Sequence, residues 1–163
     1  MFGSFELADA QQVAKHMMDC DLVVHTAGPF FRTYKLMLDA CMIAGCDYLD
    51  ITGEIEVFEG ILKMKNQLET SGIIAIPGIG FDVVPTDCVA VFLKEQLPDA
   101  QELELDFMST GGLSGGTLKT ALAKMSDGGC IRSEGQIKPV KTAAFVKNVE
   151  IKNKMRTAMS IPW

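Results

Sequence analysis

A chain of 163 residues, of which 48% are hydrophobic, is long and apolar enough to bury a core, which excludes a wholly disordered protein. The formal net charge of -6 leaves no broad basic surface and argues against general binding of nucleic acid or anionic membrane. The longest apolar stretch, residues 73–85, is interrupted by glycine, proline and aspartate and is too short for a membrane-spanning helix.

The cysteine and histidine content indicates neither a disulfide framework nor a metal site. The five cysteines form no C-x-x-C pair, and the composition is too apolar to require cross-links. His16 and His25 are scattered rather than placed at the short spacings of zinc ligands. Glu6 and Asp9 interrupt the apolar run that a signal peptide needs. These features predict reduced thiols, no bound metal and a cytoplasmic location.

Apolar runs of strand length alternate with helix-period segments through the first half of the chain. This alternation is typical of βαβ units and a parallel sheet. The first strand, rich in β-branched residues, is predicted to be buried on both faces. The predicted elements, in chain order, are a helix over 8–18, a strand over 21–26, a helix over 33–44 ended by Gly45, a strand over 48–52, a helix from Gly53 to Gly72 and a strand over 73–77.

The hydrophobic period changes after residue 98, which indicates a second domain. Thr86 is predicted to cap a helix that stops at Pro98. Leu103, Leu105 and Phe107 then alternate with acidic residues, which is the pattern of an antiparallel strand with one solvent-exposed face. A helix over 117–125 and extended segments over 131–140 and 143–159 follow. The predicted domains are 1–86, part of a parallel α/β sheet, and 87–163, the beginning of an α+β domain.

Four motifs, in order and at matching spacing, resemble those of the saccharopine dehydrogenase-like NAD(P)-dependent oxidoreductases. They lie at residues 21–30, 47–54, 80–87 and 114–117. The resemblance implies a Rossmann-type domain followed by a substrate or dimerisation domain. It also implies NAD or NADP as cofactor, hydride transfer to a small organic or lipid substrate, and a possible homodimer. A small-molecule substrate, and neither nucleic acid nor a membrane, is the expected partner.

The family pattern begins with a strand, a G-x-G-x-x-G turn and a helix, and this sequence contains no such fingerprint. Gly78-Ile-Gly80 lacks the third glycine. The fingerprint lets backbone N–H groups approach the cofactor pyrophosphate at a helix N-terminus. We therefore predict a fragment that lacks the N-terminal glycine-rich unit, on the order of 60 residues at about 30 per unit. Tight independent binding of NAD(P) is not expected.

The segments that follow the three predicted strands are expected to face one crevice, because ligands of open α/β sheets bind at the carboxyl ends of the strands. Gly28 would permit close approach of a ribose or nicotinamide. Without the resemblance, Gly28-Pro29 reads as a tight turn, and Phe81 is either a wall of the crevice or core packing. The predicted cofactor-binding residues are Thr26, Ala27, Gly28, Pro29, Thr52, Gly53, Gly80 and Phe81.

Glu54 and Asp82 are the candidate catalytic residues, since carboxylates at strand ends could orient substrate or accept a proton. The alternative for Glu54 is a stabilising position in the first turn of a helix. Asp82 could orient a cationic substrate or hold a turn. No histidine or lysine in these loops is placed to serve as general acid.

Two other classes of function are compatible with parts of the sequence. Residues 112–116 match G-x-S-x-G, with Ser114 as a nucleophile, but both histidines precede this serine, against the chain order of the α/β-hydrolases. The preferred reading is a glycine-rich turn into a helix. A non-catalytic truncated form that acts as a binding or dimerisation module is the remaining alternative, because an incomplete sheet exposes a strand edge and apolar surface.

Overall fold

The computed structural model describes residues 4–108, 111, 115–124 and 128–160. The chain forms two compact units, Met1–Leu103 and Glu104–Trp163. The helix over Val84–Gln96 falls in unit 1. The domain boundary between residues 86 and 87 stays a prediction.

Unit 1 contains a three-stranded parallel sheet in the order β1-β2-β3. The register pairs Leu22 with Asp47 and Tyr48 with Ala75. Each connection between strands contains helix, as parallel strands require. The elements are α1 Ala10–Lys15, β1 Leu22–His25, α2 Phe30–Ala44, β2 Asp47–Asp50, α3 Ile55–Lys63, α4 Lys65–Ser71, β3 Ala75–Ile76 and α5 Val84–Gln96. Together with the antiparallel hairpins of unit 2, this sheet confirms the predicted α/β class with a partial Rossmann-like arrangement.

Local signals account for several helix ends. The Asp9 carboxylate accepts the N–H groups of Gln11 and Gln12 and caps α1. Gly45 ends α2 with a φ of 75°, as predicted, and Gly72 ends α4 with a φ of 73°. The single helix predicted between Gly53 and Gly72 is wrong, because the chain breaks at Met64 into α3 and α4. Val57, Ile61, Met64 and Leu68, which recur at helical spacing, nonetheless face the core, with the first three buried and Leu68 partly buried.

The core of unit 1 covers one face of its sheet. Tyr48, at the centre of β2, is fully buried, as is Leu38 of α2. Helices α1, α2 and α3 supply most of the remaining core. The buried hydrophobic residues are Val13, Ala14, Met17, Met37, Leu38, Ala40, Cys41, Cys46, Tyr48, Val57, Ile61, Met64 and Ile73.

The opposite face of the sheet is apolar and open. Leu22 and Val24 of β1 are 47% and 51% exposed, and Ile76 of β3 is 49% exposed. The register places Val24 beside Leu49 and Leu49 beside Ile76, so these side chains share one face. The prediction that the first strand is buried on both faces is therefore wrong. Its β-branched composition suits a two-sided core, but in the described structure only one side is covered.

Helix α5 begins two residues before the predicted cap. Val83 occupies the N-cap position, and no side chain caps the helix. Thr86 lies inside the first turn, where its hydroxyl donates to the carbonyl oxygens of Val83 and Asp82 at 2.8 and 3.3 Å. The prediction that Thr86 caps the helix is wrong because its hydroxyl bonds back to carbonyls instead of accepting free N–H groups.

Unit 2 contains one described helix, α6 Gly115–Lys124, and two antiparallel hairpins. The extended segments predicted over 131–140 and 143–159 each lie within a hairpin. Positive φ values at Lys152 and Asn153, 51° and 58°, give the second hairpin the two-residue turn that matches strand twist. The strands are β4 Gly129–Ser133, β5 Gln136–Val140, β6 Val146–Ile151 and β7 Lys154–Met159.

The antiparallel strand predicted around Leu103, Leu105 and Phe107 is wrong. Residues 101–108 form no helix or strand in the described structure. Within unit 2, ion pairs from Lys147 to Glu104 and Asp106, at 2.6 and 3.0 Å, hold part of this segment. Alternation of apolar and acidic side chains indicates two different faces, but it does not supply the partner edge that a ladder requires.

Among the described residues, no helix is long and apolar enough to cross a membrane.

Candidate functional site

The candidate site is built from the segments that follow β1, β2 and β3. Because the three strands are parallel and hydrogen-bonded in sequence order, their carboxyl ends lie at one edge of the sheet. The segments are residues 26–29, 51–54 and 77–83. The predicted cofactor-binding and catalytic residues of unit 1 all fall in them, as the strand positions required.

Asp50, at the end of β2, ties the second segment to the third. Its carboxylate is fully buried and accepts the hydroxyl of Tyr48 at 2.7 Å. The other oxygen accepts the N–H groups of Thr52 at 3.0 Å and Gly78 at 2.8 Å. The Asp50 carbonyl also accepts the N–H of Ile79 at 2.8 Å. Burial, and next the bond to Asp50, raise the pKa of the Tyr48 hydroxyl well above its usual range, so the phenol stays protonated.

Glu54 connects the second segment to the start of α2. Its buried carboxylate accepts the N–H of Phe30 at 2.9 Å through one oxygen and that of Phe31 at 2.8 Å through the other. Its own N–H donates to the Thr52 hydroxyl oxygen at 3.1 Å. The carboxylate therefore stabilises the N-terminus of α2, a neighbouring helix, through charge-assisted hydrogen bonds. Glu54 itself precedes the first turn of α3 and makes no side-chain cap there, so its stabilising contacts lie at a different helix from the one expected. Its catalytic role stays a prediction.

Asp82 is the exposed carboxylate of the site. A methyl group on Gly53 would lie 2.7 Å from one of its oxygens, and a methyl group on Gly80 would lie 2.9 Å from the other. The carboxylate therefore lies against both glycines, and a side chain at either position would require it to shift. Among the described residues, none donates a hydrogen bond or an ion pair to it. Asp82 remains available to a ligand that carries a cation or a hydroxyl donor.

The remaining predicted residues differ in exposure. Thr26, Ala27 and Gly28 are exposed, Pro29 is half-buried and Thr52 is fully buried. Phe81 is 87% exposed, which excludes the core-packing alternative for this ring. The structure thus brings together an open surface of small residues, an exposed aromatic ring and a carboxylate.

A buried contact that the sequence analysis missed joins β1 to α2. His25 Nε2 lies 2.8 Å from the Thr33 hydroxyl oxygen, and that hydroxyl donates to the carbonyl of Ala27 at 2.9 Å. Which of the two groups donates in the contact between His25 and Thr33 depends on the histidine tautomer. Burial lowers the pKa of His25, and the nearby Asp50 opposes that shift. The alternation of β1, which places His25 on the face of Val23, is the signal that could have indicated a buried histidine.

The described residues fit one end of a dinucleotide better than the other. The exposed backbone at Thr26–Gly28 leaves room for a ribose and a nicotinamide. The pyrophosphate needs free N–H groups at a helix N-terminus. At α2 those of Phe30 and Phe31 are already taken by Glu54. No group of three or more potential metal ligands occurs in the described part of the chain. Ser114 of the hydrolase alternative lies outside the described residues.

Comparison with known proteins agrees with the motifs. The chain is 27% identical over 125 residues to a protein of Arabidopsis thaliana named "Probable mitochondrial saccharopine dehydrogenase-like oxidoreductase", a match that covers 72% of this chain and 28% of the relative. It is 32% identical over 114 residues to a candidate trans-acting enoyl reductase of Mycobacterium tuberculosis, covering 64% and 27%. A trans-acting enoyl reductase of Mycobacterium bovis is 30% identical over 125 residues, covering 70% and 30%.

These relatives are named as oxidoreductases or enoyl reductases. The similarity supports a place for the chain in the saccharopine dehydrogenase-like family. It spans less than a third of the length of the curated relatives that it matches. No protein-family profile matches it. The cytoplasmic location stays a prediction.

Proposed function

We propose that this chain forms part of an NAD(P)-dependent oxidoreductase that, as a complete protein, transfers hydride between nicotinamide and a small organic or lipid substrate. The observation that carries the proposal is the gathering of three strand-end segments at one edge of a parallel sheet. The nicotinamide, when bound, supplies or accepts the hydride. The protein residues bind and orient the reactants.

Within this proposal, the exposed segment Thr26–Gly28 lies against the ribose and nicotinamide, and Phe81 forms a wall of the crevice. Gly53 and Gly80 contribute indirectly, because they make room for the Asp82 carboxylate. Asp82 orients a substrate hydroxyl or ammonium group. Asp50 and Glu54 hold the segments in place through their buried hydrogen bonds. Whether the cofactor is NAD or NADP is decided outside the residues of this crevice.

The test is a titration of the purified chain with NADH and with NADPH, followed by cofactor fluorescence. Ala27→Trp places a large ring at the exposed first segment and should abolish or strongly weaken any saturable binding. Ala100→Trp makes the same change at an exposed turn and is the matched control. Equal effects of the two substitutions would contradict the assignment of Thr26–Gly28. No binding up to about millimolar cofactor by the folded chain would show that the chain alone lacks a sufficient site.

The open apolar face supports the second candidate function, a non-catalytic module that binds or dimerises. Leu22, Val24, Ile74 and Ile76 are 47–59% exposed on that face, and β1 pairs with a described strand on one side only. Light scattering after size-exclusion chromatography tests this function. Association that depends on concentration and is reduced by Ile76→Lys supports it. Ile43→Lys, at an exposed position of α2, is the control. A stable monomer at high concentration would contradict it.

A further inference from the structure

Unit 2 contains a cavity of about 280 Å³ between its first segment and its second hairpin. This volume lies just below the usual range for small-molecule sites, so a short ligand is appropriate. No residue of the strand-end segments lines this cavity, and nothing in the proposed function uses it. Its lining residues are Asp106, Phe107, Met108, Val149, Ile151, Arg156, Thr157 and Ala158.

The walls of the cavity are mainly apolar, and the strand register explains why. Val149 and Ile151 alternate on one face of β6, where Val149 lies opposite Arg156. Ala158, two residues beyond Arg156, shares this face. Val149, Ile151 and Ala158 are each half-buried. Phe107 and Met108 come from the first segment of the unit. The cavity therefore offers apolar contact from two directions.

Some charged groups around the cavity form ion pairs, and one does not. Lys147 is shared by Glu104 and Asp106, and its hydrogen bonds to them raise its pKa. That cluster already contains its own cation and has an excess of negative charge. The Arg156 guanidinium, in contrast, makes no ion pair or hydrogen bond within the part of the chain that the structure describes. One unpaired cation thus lies at an apolar cavity.

We propose that this cavity binds a small amphipathic anion, specifically a carboxylate with a short aliphatic tail. The planar guanidinium of Arg156 matches a carboxylate and can donate two parallel hydrogen bonds to it. The tail packs against Val149, Ile151 and Ala158. The negative excess at Asp106 and Glu104 disfavours an anion there, so the charged end of the ligand lies at Arg156. Neither group alone defines the ligand, because the cation selects the charge and the walls select the tail.

Octanoate is the probe, measured by calorimetry and by amide chemical shifts on the whole chain. We expect saturable binding, with shifts concentrated at Val149, Ile151 and Ala158. Octanol, which lacks the charge, should bind at least about tenfold more weakly because it cannot form the charge-assisted hydrogen bonds with Arg156. Acetate, which keeps the charge, should also bind at least about tenfold more weakly because it has no tail to bury against the apolar walls. Binding of acetate as tightly as octanoate would overturn the proposal, as would octanol binding equally well.

Two substitutions of the same type locate the anion. Arg156→Gln should weaken octanoate binding by about tenfold or more, because it removes the charge-assisted hydrogen bonds to the carboxylate. Arg132→Gln removes an exposed arginine of β4, which does not line the cavity, and should change binding by less than about twofold. Arg156→Lys, which keeps the charge without the planar fork, should fall between the two. Equal weakening by Arg156→Gln and Arg132→Gln would show attraction by net charge alone and refute the site, and so would the absence of saturable binding.

Discussion

Replacing Glu54 by glutamine tests how the second strand-end segment supports α2. The carboxylate is 6% exposed and accepts one N–H with each oxygen, so solvent screens these bonds little. Glutamine keeps one acceptor oxygen but turns an NH₂ group toward the other N–H. Hydrogen bonds to charged groups contribute about 1.5–3 kcal/mol, and a buried unsatisfied donor costs a similar amount. We expect Glu54→Gln to lower the free energy of unfolding of unit 1 by about 2–3 kcal/mol.

Amide hydrogen exchange separates this local effect from the behaviour of unit 2. The amides of Phe30 and Phe31 should lose protection by roughly 30-fold or more, the factor that about 2 kcal/mol represents. Amides of β6 and β7 should be unchanged. Urea unfolding followed by circular dichroism gives the accompanying change in stability.

Glu59→Gln is the matched control for this prediction. Glu59 lies in α3, the helix that directly follows Glu54, and its side chain is exposed and accepts no described hydrogen bond. Its substitution should therefore change stability by less than about 0.5 kcal/mol. If Glu54→Gln and Glu59→Gln had equal effects on stability and on exchange at Phe30 and Phe31, the inferred role of the Glu54 carboxylate would be refuted.

Three further predictions concern the buried groups and the second hairpin. Asp50→Asn should destabilise unit 1 by about 2–4 kcal/mol in urea unfolding, since an NH₂ group would replace an acceptor of buried donors. Asp39→Asn, at a partly exposed position of α2, should cost less than about 1 kcal/mol. Because burial lowers the pKa of His25 below its ordinary 6.5, its stabilising contribution is complete above pH 6.5 and is lost as the pH falls through the folded pKa. Unfolding between about pH 7.5 and 5 should therefore show a smaller loss of stability for His25→Gln; an unchanged pH slope would contradict this. Asn153→Gly relieves a φ of 58° in a two-residue turn and should raise hairpin protection from exchange severalfold, whereas lowered protection would contradict it.

Helices and their ends could be predicted where the signal lies within a few residues. The glycine after α2, the apolar stripe of α3 and the order of strands and helices in unit 1 all follow from local conformational preference and period. The start of α2 could not be predicted from such local signals. We predicted Thr33, but the helix begins at Phe30 because the carboxylate of Glu54, 24 residues away, satisfies its first N–H group.

The candidate site shows the same division. The strand-end positions of Thr26–Pro29, Thr52–Glu54 and Gly80–Asp82 could be placed at one edge of a sheet from the sequence, because parallel strands end on the same side. The roles of their side chains could not be placed in this way. The cofactor-binding role of Gly53 stays a prediction, and the structure adds that Gly53 lies against the carboxylate of Asp82, a residue distant in sequence.

The sequence by itself thus determined the α/β class, the resemblance to a family and the edge of the sheet at which the candidate site lies, because period, turn residues and motifs are local properties of the chain. Only the tertiary structure decided that Asp50 and Glu54 are buried hydrogen-bond acceptors, that Asp82 accepts no hydrogen bond from the described residues, and that residues 101–108 form no strand. A carboxylate has the same covalent chemistry in each place. Its surroundings, set by residues brought together from distant parts of the chain, determine whether it stabilises the fold or remains available to a ligand.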